Sequence, residues 1–106
     1  MVLLTKNLIK LISFKTFEID NITVNALSLY TASMDLPVTE FAVQSISSII
    51  ISNASSEGTN YGFCVPNAWY INNNIAYIRI LNTNSTKAAK IKITFRCMSE
   101  LSTLHE

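Results

Sequence analysis

The segment 90–98, KIKITFRCM, sets the strongest limit on what this chain can fold into, because Ile91, Ile93, Phe95 and Cys97 alternate with Lys90, Lys92, Thr94 and Arg96. A period of two sends successive side chains to opposite faces of an extended strand, so this element carries one core face and one basic solvent face. The alternation recurs. Tyr30, Ala32, Met34 and Leu36 interleave with Thr31, Ser33 and Asp35 until Pro37, and Tyr61, Phe63 and Val65 interleave with Gly62 and Cys64 until Pro66. An earlier run of Phe17, Ile19, Ile22 and Val24 changes phase at Asp20-Asn21, as a bulge or tight bend would make it do. Fourteen isoleucines, with Val and Thr, bring β-branched residues above a quarter of the chain, which favours pleated sheet.

Polar clusters punctuate these runs. The stretch 53–60, NASSEGTN, collects turn formers and reads as a loop, and a second polar loop follows at 82–90, NTNSTKAAK. The runs AWYI and IAYIRIL flank Asn72-Asn73-Asn74; asparagine tolerates positive φ, so a tight hairpin is expected there. The pattern predicts an all-β chain folded as an antiparallel β-sandwich, jelly-roll-like, over residues 14–98. An N-terminal arm is expected over 1–13 and a C-terminal tail over 99–106. Leu4, Leu8, Leu11 and Ile12 fit a helical stripe while Ile9 falls off it, so a short helix and an extended arm both stay open for the start.

A chain of 106 residues can bury a core of its own without disulfides or metals. Its net charge of +1 gives no basic field for nucleic acid or acidic membranes. Lys6, Lys10 and Lys15 break the apolar start well short of the roughly 18 residues a membrane span requires, and no leader or membrane insertion is expected. The sequons at Asn21, Asn53 and Asn84 read as chance triplets among eleven asparagines. Cys64 and Cys97 form no Cys-x-x-Cys, and the single histidine, His105, stands one residue from the end. No metal site and no cofactor is therefore expected. Pairing of the two cysteines stays open, although an intracellularly assembled protein would keep them reduced and packed as small hydrophobes.

Chemistry has few carriers. Nucleophilic catalysis needs a held histidine, which a terminal residue does not supply, so no enzymatic activity is expected. Glu18 and Asp20 stand at i and i+2, where two carboxylates could perturb each other, but the stronger reading is a solvated face on which they pair across strands with Lys90 or Lys92. Trp69, Tyr70 and Tyr77 with Asn72, Asn73 and Asn74 combine ring faces and amides that suit a sugar, or alternatively plug an interface. Assembly is the fourth feature. In IAYIRIL both the set Ile75, Tyr77, Arg79, Leu81 and the set Ala76, Ile78, Ile80 are largely apolar. With Ile49, Ile50 and Ile51, and with Leu4, Leu8 and Leu11 of the leading segment, they give candidate interface surface beyond what a monomer comfortably buries.

The stretch 69–98, WYINNNIAYIRILNTNSTKAAKIKITFRCM, resembles the C-terminal half of small β-sandwich modules of bacteriophage tail-fibre and other virion appendage proteins. In that comparison Asn82 is the internal asparagine closing a strand, NTNSTKAA is the Ser/Thr-rich loop, and residues 90–98 form the last strand. The upstream FEIDNITVNALSLYTASMDLP resembles the opening strands, so the likeness covers about residues 14–98 as texture, without a signature of fixed residues. Low glycine content, no shaft repeat and the apolar arm depart from the pattern. The resemblance implies a non-enzymatic virion structural protein, such as a capsid decoration, head/neck or tail-appendage component, assembled in the bacterial host cytoplasm. It implies a homo-oligomer, with a trimer favoured, and other virion proteins of capsid or tail as partners. The alternative it implies is a glycan- or receptor-binding head, with host-surface glycan as the ligand.

Overall fold

The structure, a computed structural model, describes residues 8–38 and 41–104. Among them are six strands: β1 (Leu8–Val24), β2 (Leu29–Asp35), β3 (Ala42–Asn53), β4 (Cys64–Asn72), β5 (Ile75–Asn82) and β6 (Ala89–Leu104). A short 3-10 turn, Tyr61–Phe63, precedes β4, so the alternation that begins at Tyr61 becomes strand only from Cys64, and it does not end at Pro66: β4 absorbs the proline at a register shift on a sheet edge and runs on to Asn72. The strands form two antiparallel three-stranded sheets packed as a sandwich, ordered β1-β6-β3 and β2-β5-β4. Apart from the β4–β5 hairpin, each connection between successive strands passes from one sheet to the other. The all-β sandwich read from the alternation is the fold.

The core is the meeting of two central strands. Ile91, Ile93, Phe95 and Cys97 of β6 face Ala76, Ile78 and Ile80 of β5, and all are essentially removed from solvent. Phe17 of β1 stacks on Phe95 with ring centroids 5.5 Å apart. Burying a side chain such as Phe95 contributes about 1.5–3 kcal/mol, so this isoleucine-rich layer supplies the main driving force for the two sheets to close. The phase change at Asp20-Asn21 is a bulge: the β1–β6 register slips between Ile19 and Ile22, with Asn21 at φ 55°. That irregularity returns Ile22 and Val24 to the core face. The hairpin is also as expected, with Asn73 and Asn74 at φ 50° and 62° as its two loop residues.

The chain ends differ from the expectation. Leu8–Ser13 is strand, so the helical alternative is excluded there, and residues 99–104 continue β6 rather than trailing as a tail. The two pair residue for residue from Leu8↔Leu104 to Ser13↔Ser99, and the boundaries drawn at 14 and 98 fall inside strands. A non-local ladder here outweighs the weak helical stripe, because it satisfies backbone groups on both segments at once. With 16 residues, β6 runs for about 54 Å, whereas the 7 to 9 residues of β2, β4 and β5 give about 24–31 Å. One sheet therefore overhangs the other, and the molecule measures 66 × 22 × 21 Å.

Asn82 locks the sandwich at its other end. It is fully buried, and its Nδ2 donates to the carbonyls of Val24 (3.1 Å) and Lys87 (3.0 Å), while its Oδ1 accepts from the Asn84 N–H (3.0 Å). One amide thus joins the end of β1 to the loop entering β6. Asn82→Ala leaves these backbone groups without partners and is expected to cost about 2–4 kcal/mol. Asn82→Asp sets a carboxylate against two carbonyls and should cost more. Urea unfolding of both variants against the parent measures this; midpoints within error of the parent would contradict the role.

Candidate functional site

Of the residues singled out for sugar binding, the structure brings some together and separates others. On β4, Trp69 lies opposite Ile78 and Tyr70 opposite Tyr77, so the two aromatics take opposite faces. Trp69, 51% exposed, lines a cleft of about 170 Å³ between the edge strands β3 and β4, with Ile46, Ile49 and Pro66. Tyr70 and Tyr77 stack on the outer face with centroids 4.9 Å apart. Asn72, exposed, shares that outer face opposite Ile75. Asn73 stands in the turn, and Asn74 turns away to donate from Nδ2 to the Leu36 carbonyl at 2.7 Å, tying the exit of β2 to the hairpin. Tyr70, Tyr77 and Asn72 therefore share the outer face, whereas Trp69 and Asn74 are directed elsewhere.

The interface candidates form two apolar faces. On the outer face of β2-β5-β4 the register sets Leu29, Leu81 and Val65 in one row across the three strands, all at least partly exposed. Leu27 and Phe63, both exposed, flank the same end, joined to it through the Leu27 N–H to Asn84 carbonyl bond and the Thr83 N–H to Phe63 carbonyl bond. Leu27 holds φ 48°, a left-handed conformation that suits leucine poorly. Ile75 and Tyr77 continue the face half-exposed, while Ala76, Ile78 and Ile80 fill the core. The second apolar set of β5 is therefore not covered by another layer among the described residues.

The outer face of β1-β6-β3 carries the other patch. Ile49 and Ile51 point toward the core, but Ile50 between them is 62% exposed. Ile12 and Phe14 are exposed, and the Arg96 guanidinium lies 4.1 Å from the centroid of the Phe14 ring. That cation–π contact covers one side of Phe14 and leaves the sheet edge beside it open. Sequence reasoning gave no interface role to Phe14, Leu27, Leu29 or Val65; the period-2 pattern could have flagged Phe14, but only with the partner strand known. Leu8 and Leu11 occupy β1 opposite Leu104 and Leu101, and Leu4 lies outside the described residues.

Among the described residues the metal-ligating and acidic groups form no cluster. His105 lies outside the described residues, and among those described no three metal-ligating side chains gather. Cys64 and Cys97 are free and buried, and burial pushes both thiols above the usual value, which keeps them neutral. Glu18 and Asp20 are not a working pair. The bulge takes Asp20 to Ser55, whose N–H donates to Oδ1 at 3.1 Å, while the Asn21 N–H donates at 2.7 Å. Hydrogen bonds from Ser55, hydroxyl then N–H, hold the Asp20 carboxyl below its ordinary value, with Asn21 and the charge of Lys92 adding to them.

No helix among the described residues is long and apolar enough to cross a membrane. Comparison with protein-family models, curated proteins and solved structures finds no match to this chain.

Since Asp20 has a lowered folded-state pKa, its contribution to stability is present above the ordinary carboxylate value and fades as pH falls through the folded value. Asp20→Asn should flatten the acid side of the stability profile between about pH 5 and pH 2. Parallel slopes for the parent and the variant in urea melts across that range would remove the assignment.

Proposed function

We propose that this chain is a non-enzymatic structural subunit of a bacteriophage particle, acting by packing against copies of itself and attaching to a larger assembly. The carrying observation is the uncovered sandwich: sheet β1-β6-β3 outruns its partner sheet, and Leu27, Leu29, Val65, Ile12, Phe14 and Ile50 stand exposed on the outer surfaces. Large exposed apolar areas mark partner contacts, and long open sheet edges invite pairing unless a neighbour covers them. The likeness of residues 69–98 to virion modules supplies the phage setting. Copies of one chain meeting through repeated surfaces satisfy what each subunit leaves open.

Sedimentation equilibrium of the full chain in dilute buffer is expected to show a stable oligomer at micromolar concentration. A compact monomer with no concentration dependence refutes the assembly reading. Proteomics of purified phage particles carrying the gene should find the chain in many copies, and its absence from particles removes the virion setting.

A glycan-binding head is the second reading, favoured by the stacked Tyr70–Tyr77 pair with Asn72 beside it on an open face. A glycan array should then show binding that Tyr70→Ala abolishes, with Trp69→Ala, on the opposite face, leaving it intact. A blank array for the parent ends this reading.

A further inference from the structure

We infer that the free edge of β1 pairs with the β1 edge of a second copy, antiparallel about a two-fold axis at Phe14, making one continuous six-stranded sheet. This rests on the assembly reading above and names its interface. In the order β1-β6-β3, β1 is an edge strand among the described residues. Its register with β6 is unbroken from Leu8 to Ile19, and the bulge with Asn21 at φ 55° ends the regular stretch. The midpoint of that stretch falls beside Phe14. This open edge, about 40 Å long, leaves a row of backbone donors and acceptors that a second antiparallel strand satisfies.

The sequence of the edge is self-complementary about that point. In an isologous antiparallel contact centred on residue 14, each position faces the one equally far on the other side, and both lie on the same face of the sheet. The register position of Lys10 then falls opposite that of the second copy's Glu18, and Glu18 opposite Lys10, so opposite charges occupy two symmetric positions. Phe14 meets Phe14 at the axis, beside the Arg96 already seated on its ring. Ile9 comes opposite Ile19, and Leu11 opposite Phe17.

Neighbouring registers are worse. A slip by one residue reverses the faces. A shift of the axis to residue 15 sets Lys15 against Lys15, and the opposite-charge match it offers, Lys10 with Asp20, falls at the bulge, where Asp20 is held by Ser55. A shift to residue 13 sets Glu18 against Leu8 and breaks both charge pairs. Like charges directly opposite one another are destabilising and opposite charges stabilising, so the sequence selects the axis at Phe14. The contact is two-fold and closed, hence it builds even-numbered assemblies rather than the trimer the resemblance implies.

Charge reversal tests it on the full chain, with far-UV circular dichroism confirming the fold of each variant. Lys10→Glu and Glu18→Lys each place like charges opposite one another at two symmetric positions and should raise the dissociation constant by about tenfold or more. The double exchange restores both pairs and should return it to near the parent value. A second variant reads the register directly. Phe14→Cys sets two thiols across the axis, where opposed Cα atoms stand about 4.5–5.5 Å apart, within disulfide reach. Copper-phenanthroline oxidation should yield a covalent dimer, with Ile50→Cys as the control that does not, since Cys64 and Cys97 are buried. An oligomeric parent that ignores the charge exchange, with no cross-link formed by the Phe14→Cys variant, overturns this contact and leaves the assembly reading standing. A monomeric parent overturns both.

Discussion

The sandwich depends on one buried amide. Asn82 ends β5 at the point where the chain must leave one sheet and enter the other, and its side chain bonds to the end of β1 and to the loop leading into β6. Its own N–H donates to the Ser28 carbonyl at 3.0 Å, which adds the entry of β2. Four segments are thus positioned by a single residue with no exposure to water. A buried polar group is tolerated only when its bonding capacity is met, and once met it admits few alternative arrangements. The apolar layers supply the energy of closure, but leucine or isoleucine contacts are non-directional and do not choose which loop lies against which. The amide supplies that choice.

The second constraint is the mismatch in length between the sheets. Strands β2, β4 and β5 cover only part of β6, and among its described side chains, which run to Leu101, the last buried one is Cys97. Beyond that point the long ladder of β1 with β6 continues without an opposing sheet among the described residues. Within a monomer such an extension gains little from burial and exposes edges on which other chains can pair. The same reasoning applies to the row Leu29, Leu81 and Val65, and to Leu27 held in a left-handed conformation in full view of solvent.

Much of this was legible from alternation. Residues 90–98 declared a core face and a basic face, and each of Ile91, Ile93, Phe95 and Cys97 lies in the core. Asn73 and Asn74 declared the hairpin, because few other residues accept positive φ twice in succession, and the phase change at Asp20-Asn21 declared a bulge. The start of the chain was not legible. Its apolar spacing fits a helix as readily as a strand, and only residues at the far end of the chain, in the last turns of the β6 ladder, decide between them. The candidate sugar set divided for a simpler reason: neighbours on a strand point apart, so Trp69 and Tyr70 share a sequence motif and not a surface.

The sequence by itself determined that the chain is built of strands, which face of several of them is buried, and that it turns at Asn73-Asn74, because periodicity, β-branching and the φ tolerance of asparagine are properties of single residues and their near neighbours. The tertiary structure decided which strands pair, that one sheet outgrows the other, and which apolar faces remain uncovered. Those outcomes come from contacts between residues far apart in the chain, where register and shape are set by the whole packing arrangement and leave no local trace.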